Sequence, residues 1–335
     1  MSISIDKIRE ATSKEWDSTW HKCDYTTYFH SREWAEIWQK YDSRTIKTEA
    51  KLIEFSDKKK AIVPVTYKKA LGFRKSLMLS PAGTFGGWIS TDILSLEHGQ
   101  LITDYFTKST NPFNGFTWRI NPYDDIVQQC SFQNVDVKFD STQVLNIACG
   151  FDKIVKNWTK GHRSTTRKAR KARKEGVSIR VADSRHDWLQ YFKIYEASIE
   201  RWGKKASSNY KWTLFDTICK LSSPNVKLWL AEHDNEIIAG ALCFYGKKQV
   251  VYWHGAALST YFKFRPVNLL MYEAINDACK EGYSWFDFNP SGGHQGVQAF
   301  KKSFGTQERP CAVITLNSSI MRLVIARKNK KRKRL

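Results

Sequence analysis

Residues Arg163–Lys174 (RSTTRKARKARK) carry seven Lys or Arg and no acid. At about 100° per residue, Arg163, Arg167, Arg170, Lys171 and Lys174 share one helical sector, while Ala169 and Ala172 face away. Thr165 or Thr166 is placed to cap the start and Gly176 to close the end, and the late bases suit the negative end of the helix dipole. Such a helix presents a positive face to phosphates of a nucleotide, a nucleic acid or a lipid headgroup; the alternative is a solvated charged face. Asp287 stands between Phe286 and Phe288 in WFDFN, where strand alternation turns it away from both. A carboxylate there can be a base of raised pKa or an amine anchor, or it can cap a helix or pair with Arg265. His254 follows Trp253 on a strand, where a neutral imidazole suits either a general base or a structural hydrogen bond. Lys301, in Phe300-Lys301-Lys302, reads from position alone as a surface lysine. The loop Ser291–Gly296 (SGGHQG) can close over a substrate but lacks the Gly-Lys-Ser/Thr of a P-loop.

These residues need a frame, and the chain repeats a similar order of elements in its two halves. In the first, Ser31–Tyr41 reads as a helix with Ser31 as cap and Trp34 and Trp38 one turn apart. Strands are expected at Thr48–Phe55 and Ala61–Tyr67, a Gly- and Pro-bearing loop at Ser80–Gly87, a helix at Leu94–Lys108 and an inner strand at Gly115–Ile120. In the second half, helices are expected at Trp188–Trp202 and Lys211–Leu221. Strands follow at Val226–Glu232, Glu236–Tyr245 and Gln249–Ala256, joined by short polar turns that suit antiparallel neighbours. A helix at Pro266–Glu281 begins with Pro and is closed by Gly282, and the strand Trp285–Asn289 comes next. This is an α/β pattern with a mixed sheet, and the boundary between halves falls near Cys149–Asp152.

Composition narrows the class. The net charge is +21, but the basic helix and the segment Arg322–Arg334, with eight bases and no acid, supply most of it. That basic tail opens with apolar residues and can lie on anionic lipid, touch nucleic acid or remain a solvated tail. Thirteen Trp, 14 Tyr and 19 Phe supply ample core material. Seven scattered cysteines without a CxxC pair give neither a disulfide framework nor a zinc site. No apolar run is long enough to span a bilayer and the N-terminus lacks a signal-peptide core, so the expected location is the cytoplasm, with a peripheral contact at the inner face of the membrane through the tail.

Several stretches together resemble the Fem-type peptidoglycan aminoacyltransferases and their FemAB-like relatives in the GNAT superfamily. Tyr28–Trp38 is similar to the family's early F-x-S-x-x-W helix, and Arg163–Val177 to its basic helix ending A-x-K-x-G-V. Gly240–Leu242 matches G-A-L, Gly282–Asn289 matches G-x-x-x-F-D-F-G with Asn289 where Gly is usual, and Phe300–Gly305 matches the closing F-K-x-x-F-G. The resemblance covers about residues 25–310. It implies tandem GNAT-like domains, each a mixed, mostly antiparallel sheet flanked by helices, at 1–149 and 150–316, followed by the basic tail 317–335.

The activity implied is N-acyl transfer: an aminoacyl or small acyl group passes from an activated donor, aminoacyl-tRNA, to an amine of a phosphate-bearing cell-envelope precursor. The alternatives are a CoA-dependent N-acetyltransferase acting on a sugar or surface polysaccharide, and a non-catalytic RNA- or membrane-surface-binding protein. No metal, no permanently bound cofactor and no DNA partner are expected; aminoacyl-tRNA or acyl-CoA serves as co-substrate. The family's matching lysine assigns Lys301 to the developing oxyanion or the donor's phosphate end, beside Asp287 and His254. Arg163 and Arg167 grip phosphates as bidentate forks. Two features depart from the relatives. The long helical hairpin some Fem enzymes insert in the second domain is missing, and so is the glycine-containing pyrophosphate loop of ordinary GNAT enzymes. In its place stands Phe262–Asn268 (FKFRPVN), where Lys263, Arg265 and Asn268 are candidates for phosphate contact at a helix N-terminus.

Overall fold

The computed structural model describes residues 2–69, 75–108, 115–161, 163–203 and 209–316, so the expected basic tail lies outside the described residues. The chain forms two compact units, one of residues 1–141 with 310–335 and one of 142–309. In chain order the elements are β1 (Ile5–Glu10), α1 (Ser13–Lys22), α2 (Arg32–Tyr41), β2 (Ile46–Phe55), β3 (Lys60–Lys69), β4 (Lys75–Met78), β5 (Phe85–Gly86), α3 (Leu96–Lys108), β6 (Gly115–Ile120) and β7 (Asp136–Lys138). There follow β8 (Ser141–Asn146), α4 (Phe151–Gly161), α5 (Arg163–Lys174), β9 (Ser178–Val181), α6 (Arg185–Trp202), α7 (Trp212–Leu221), β10 (Val226–His233), β11 (Glu236–Tyr245) and β12 (Gln249–Ala257). The last are α8 (Pro266–Lys280), β13 (Trp285–Pro290), α9 (Gln295–Lys302), β14 (Gln307–Pro310) and β15 (Val313–Leu316). Among the described residues no helix is long and apolar enough to cross a membrane, and all seven cysteines are free thiols.

In the first unit the sheet runs β1-β2-β3-β4-β6-β15-β7, with β5 also paired to β6. The β1–β2–β3–β4 run is antiparallel and β4 pairs β6 in parallel. Helix α2 starts where Ser31 accepts a hydrogen bond from the Trp34 amide and buries Trp34, Ile37 and Trp38, the i, i+3, i+4 stripe of a helix facing a core.

In the second unit the order is β14-β8-β13-β12-β11-β10-β9. The β9–β12 run is antiparallel, whereas β12 and β13 are parallel because α8 carries the chain between them. Helices α4, α5 and α8 share one buried cluster through Ile154, Trp158, Ala169, Ala172, Leu270 and Ala274. Ala169 and Ala172 do form the inward side of α5, as the spacing predicts. At its end Gly176 adopts φ +83° and the Val177 amide donates to the Ala172 carbonyl at 3.0 Å, the 6→1 bond of a glycine-closed helix.

Three expectations need correction. The 149/150 boundary differs from the observed division, because β8 hydrogen-bonds to β13 of the second sheet and β15 to β6 and β7 of the first. Thr165 does not cap α5; the helix begins at Arg163, and the Thr165 hydroxyl donates to the Ser303 carbonyl at 2.6 Å. The loop Ser80–Gly87 contains a strand, β5.

Candidate active site

In the second unit the parallel pairing of β12 with β13 covers Gln249/Trp285, Val250/Phe286 and Val251/Asp287, and stops there. Beyond it β12 stays with β11 and β13 stays with β8, so a slot opens between the two strands. Each strand is irregular at the fork. On the β12 side the register with β11 shifts between Leu242 and Cys243, leaving Trp253 as the extra residue; on β13 it shifts between Asp287 and Pro290. Bulges of this kind re-aim side chains next to functional sites.

Asn289 sits in the second bulge with φ +61°, a left-handed conformation that Asn tolerates better than most residues. Its amide donates to Asp287 Oδ1 at 2.7 Å, its carbonyl accepts from Lys301 Nζ at 2.5 Å, and its side-chain Nδ2 reaches the Trp253 carbonyl across the fork at 3.4 Å. One residue therefore joins β12, Asp287 and Lys301. Asp287 is fully buried and also accepts from the Thr142 hydroxyl on β8. Its expected pairing with Arg265 does not occur, since Arg265 is exposed at the start of α8.

Lys301 is not a surface lysine: it is 4 % exposed. It lies near the end of α9, and Nζ also donates to the Pro290 carbonyl at 3.2 Å. The turn after α9 is fixed from three sides. Phe304 packs on Phe288 at 5.1 Å and on Phe300 at 5.2 Å, its carbonyl accepts from Trp158 Nε1 at 2.7 Å, and Thr165 holds Ser303. A buried ammonium costs several kcal/mol unless hydrogen-bonded, so the fold supplies it with carbonyls at the end of β13.

His254 lies on the other side of β12, against Tyr195 at 4.6 Å, Phe215 at 5.9 Å and Tyr191 at 6.0 Å between ring centres. Burial lowers its pKa to about 4, so the ring is neutral at pH 7, as a general base requires, and weakly basic. The Tyr191 hydroxyl and His254 Nδ1 share a hydrogen bond of 2.6 Å. Burial holds that phenol well above its ordinary pKa, so the hydroxyl keeps its proton and donates to Nδ1, which leaves the imidazole proton on Nε2. Tyr191 reaches this place because Gly240 lies beneath it: a Cβ there would come within 2.4 Å of the Tyr191 ring.

The remaining candidates lie at the end of the sheet to which β12 leads. After Ala257 a short 3-10 helix, Ser259–Phe264, delivers the chain to α8. Lys263 is exposed with Nζ 4.8 Å from the centre of the Phe264 ring. Arg265 adopts φ +59° directly before Pro266. Asn268 is buried in the first turn, its amide donating to the Arg265 carbonyl at 3.1 Å. Arg167 is exposed on α5; Arg163 begins that helix, and its side chain lies outside the described residues. Sequence reasoning missed Thr142, Tyr191, Asn289 as a junction, and Arg201, which donates to the Ala257 carbonyl at 3.1 Å and lies 5.0 Å over the Phe262 ring. Only the Tyr191/Tyr195 spacing on one helix left a local signal.

Comparison with known proteins fits this geometry. Residues 159–302 match the acetyltransferase (GNAT) domain family, and no curated protein matches the sequence. Among solved structures the chain is similar to FemX, with 13 % identity, TM-score 0.68, and coverage of 93 % of this chain and 97 % of that one. It is also similar to the C-terminal domain of a protein assigned as lysylphosphatidylglycerol synthetase from Agrobacterium fabrum, with 11 % identity, TM-score 0.60 and 94 % of each chain covered. A tandem GNAT protein from the clavulanic acid biosynthesis pathway aligns at 6 % identity and TM-score 0.50, over 92 % of this chain and 97 % of that one. The fork between β12 and β13, the buried lysine beside it and these likenesses make the chain a FemAB-like acyltransferase of the GNAT superfamily.

Proposed function

We propose that the protein transfers an aminoacyl group from aminoacyl-tRNA to an amine of a phosphate-bearing cell-envelope precursor, with the acyl carbonyl held in the slot between β12 and β13. The observation that carries this reading is the burial of Lys301 and its anchoring to Asn289 and Pro290 at the fork. A fixed ammonium there stabilises negative charge as it develops on the carbonyl oxygen, the largest single contribution in most acyl transfers. The acceptor amine forms the new C–N bond, the ester C–O bond to the tRNA ribose breaks, and the amine's proton ends on the departing hydroxyl. Asp287 holds the Asn289 amide and so keeps the carbonyl that anchors Lys301 in place. His254, neutral and donating from Nε2, acts as a hydrogen-bond donor in the slot rather than as a strong base. Arg163, Arg167, Lys263 and Arg265 hold phosphates of donor and acceptor, and Asn268 supports the first turn of α8 beside them.

The fold neighbours favour this class of acceptor, since one is FemX and another is assigned as a lysylphosphatidylglycerol synthetase. A specific feature favours the tRNA donor over CoA. The turn into α8 has no glycine cradle, and Pro266 at its first position offers no amide to a pyrophosphate. The second reading, a CoA-dependent N-acetyltransferase acting on a sugar, draws on the match to the acetyltransferase domain family.

A transfer assay with labelled aminoacyl-tRNA and labelled acetyl-CoA, offered separately with envelope precursors, separates the two. Label moving from tRNA, and falling about 10²- to 10³-fold with Lys301→Ala, is the expected result. Movement from CoA alone would replace the donor, and silence from both would end the enzymatic reading.

A further inference from the structure

Helices α4 and α5 both bury their apolar sides in one cluster, through Ile154 and Trp158 on α4 and Ala169 and Ala172 on α5. Their opposite sides therefore face outward from the same layer of the second unit. On α4 that side carries Lys153, Lys156 and Lys160, at i, i+3 and i+7; on α5 it carries Arg170, Lys171 and Lys174, at i, i+1 and i+4. All six are exposed. Among the described residues none of the six makes an ion pair, although the neighbouring Arg173 is paired with Glu273. Six uncompensated cations on two adjoining helices form a field that needs a polyanion.

We infer that this α4–α5 face docks the phosphate backbone of an RNA helix, the duplex arm of the tRNA whose acylated end enters the slot; the inference rests on the proposed aminoacyl-tRNA donor. Two observations favour RNA over a lipid surface. The large exposed apolar side chains of the described residues, such as Trp202 and Phe262, lie outside α4 and α5, so the face has nothing to insert below the headgroups. The basic face also leads toward the proposed donor site. Gly176, closing α5, lies beside His233, whose ring is 3.9 Å from the position of a Cβ there. His233 stacks on Phe264 at 4.4 Å, next to Lys263 and to Phe262, which is 43 % exposed. Duplex RNA is gripped through its phosphates and shape, and unpaired bases stack on aromatic rings; the surface offers both in that order.

The test is a fluorescence-anisotropy titration of the full chain with deacylated tRNA, comparing wild type with the quadruple variant Lys156→Gln, Lys160→Gln, Arg170→Gln, Lys171→Gln. A control variant carries Lys7→Gln, Lys14→Gln, Lys22→Gln and Lys40→Gln, which removes the same charge from exposed positions of the first unit. The first variant is expected to weaken tRNA binding at least about tenfold and to lower the log–log salt slope by about two to four, while the control stays within about twofold of wild type. Flotation with phosphatidylglycerol vesicles should show no difference between the proteins. Equal weakening in both variants, tRNA binding unchanged in the first, no tRNA binding by wild type, or selective loss of vesicle binding would each overturn the assignment. Face-dependent tRNA binding by a protein that moves no label from aminoacyl-tRNA would uphold the docking surface and remove the donor reading alone.

Discussion

The two units begin the same construction and finish it differently. In each, an antiparallel run is followed by a strand in parallel register: β4 with β6 over Ser76/Gly115, Leu77/Phe116 and Met78/Thr117, and β12 with β13 over three pairs ending at Val251/Asp287. Past the third pair the first unit turns back on itself. Its chain makes a short 3-10 turn at Pro81–Gly83 and returns as β5, whose Phe85 and Gly86 pair in parallel with Arg119 and Ile120. The place where a slot would open is occupied by the protein's own backbone. Two residues beyond the last parallel pair stand Arg119 and Asn289. Arg119 is tied to the Gly83 carbonyl at 2.7 Å and to Asp140 at 2.8 Å, a wholly internal use. Asn289 instead holds the opened strands and Lys301. The same sheet thus becomes a scaffold or a site according to what occupies the fork after three residue pairs.

The largest effect expected from breaking this contrast is on rate: Lys301→Ala should remove transfer while the unfolding transition of the first unit stays in place. Next comes the plug. A Cβ on Gly86 would lie 2.5 Å from the Leu79 carbonyl oxygen, and backbone cannot swing aside, so Gly86→Ala should cost about 2–4 kcal/mol. Denaturant unfolding should show that loss, with kcat per folded molecule unchanged; a loss of rate without loss of stability would mean that the first fork takes part in the reaction.

Both units also hold a neutral buried histidine, which provides a pH test. Burial lowers the pKa of His30 and of His254 to about 4. With folded values below the unfolded value of about 6.5, the unfolded chain binds more protons between those limits. Stability should therefore fall as pH drops from about 6.5 to about 4, by up to about 3 kcal/mol per histidine. His254→Gln should flatten part of that slope in thermal melts, and wild-type turnover should show no acid limb near pH 6.5 from imidazole protonation. The smallest effect should come from Asn289→Gly, which keeps φ +61° accessible and both backbone contacts but deletes the bridge to Trp253. A few-fold loss in kcat with little change in stability is expected. Asn289→Ala should add about 1 kcal/mol of backbone strain.

How much of this was legible in the sequence follows from the range of the interactions. Strands Gly115–Ile120 and Glu236–Tyr245, the cap at Ser31 and the alanine side of α5 are set by neighbours within one or two turns, and they lie where the pattern puts them. The plug does not: β5 is two residues long, too short for any period, and its partner is about thirty residues away. Thr142 meets Asp287 across 145 positions, and Thr165 prefers the Ser303 carbonyl, 138 residues on, to its own helix terminus. The site residues were recognisable as unusual, an acid among aromatics and a lysine between them, but their partners are main-chain carbonyls and amides that have no signature in side-chain order. Helix α1 did leave a local signal, the reciprocal Thr12–Glu15 cap before Trp16 and Trp20.

The order of strands in the first sheet has a consequence for how the molecule comes into being. There β15 lies between β6 and β7, although some 175 residues separate it from them along the chain. The second unit, by contrast, is contiguous in sequence. A polypeptide emerging from the ribosome can complete the second unit while the first still has an open edge at β6, where Phe116 and Trp118 wait for Leu316 and Ile314. Until then that edge is a hydrogen-bonding template for any other extended chain. The catalytic half thus matures first, and the last strand to be made is the one that closes the older half against aggregation.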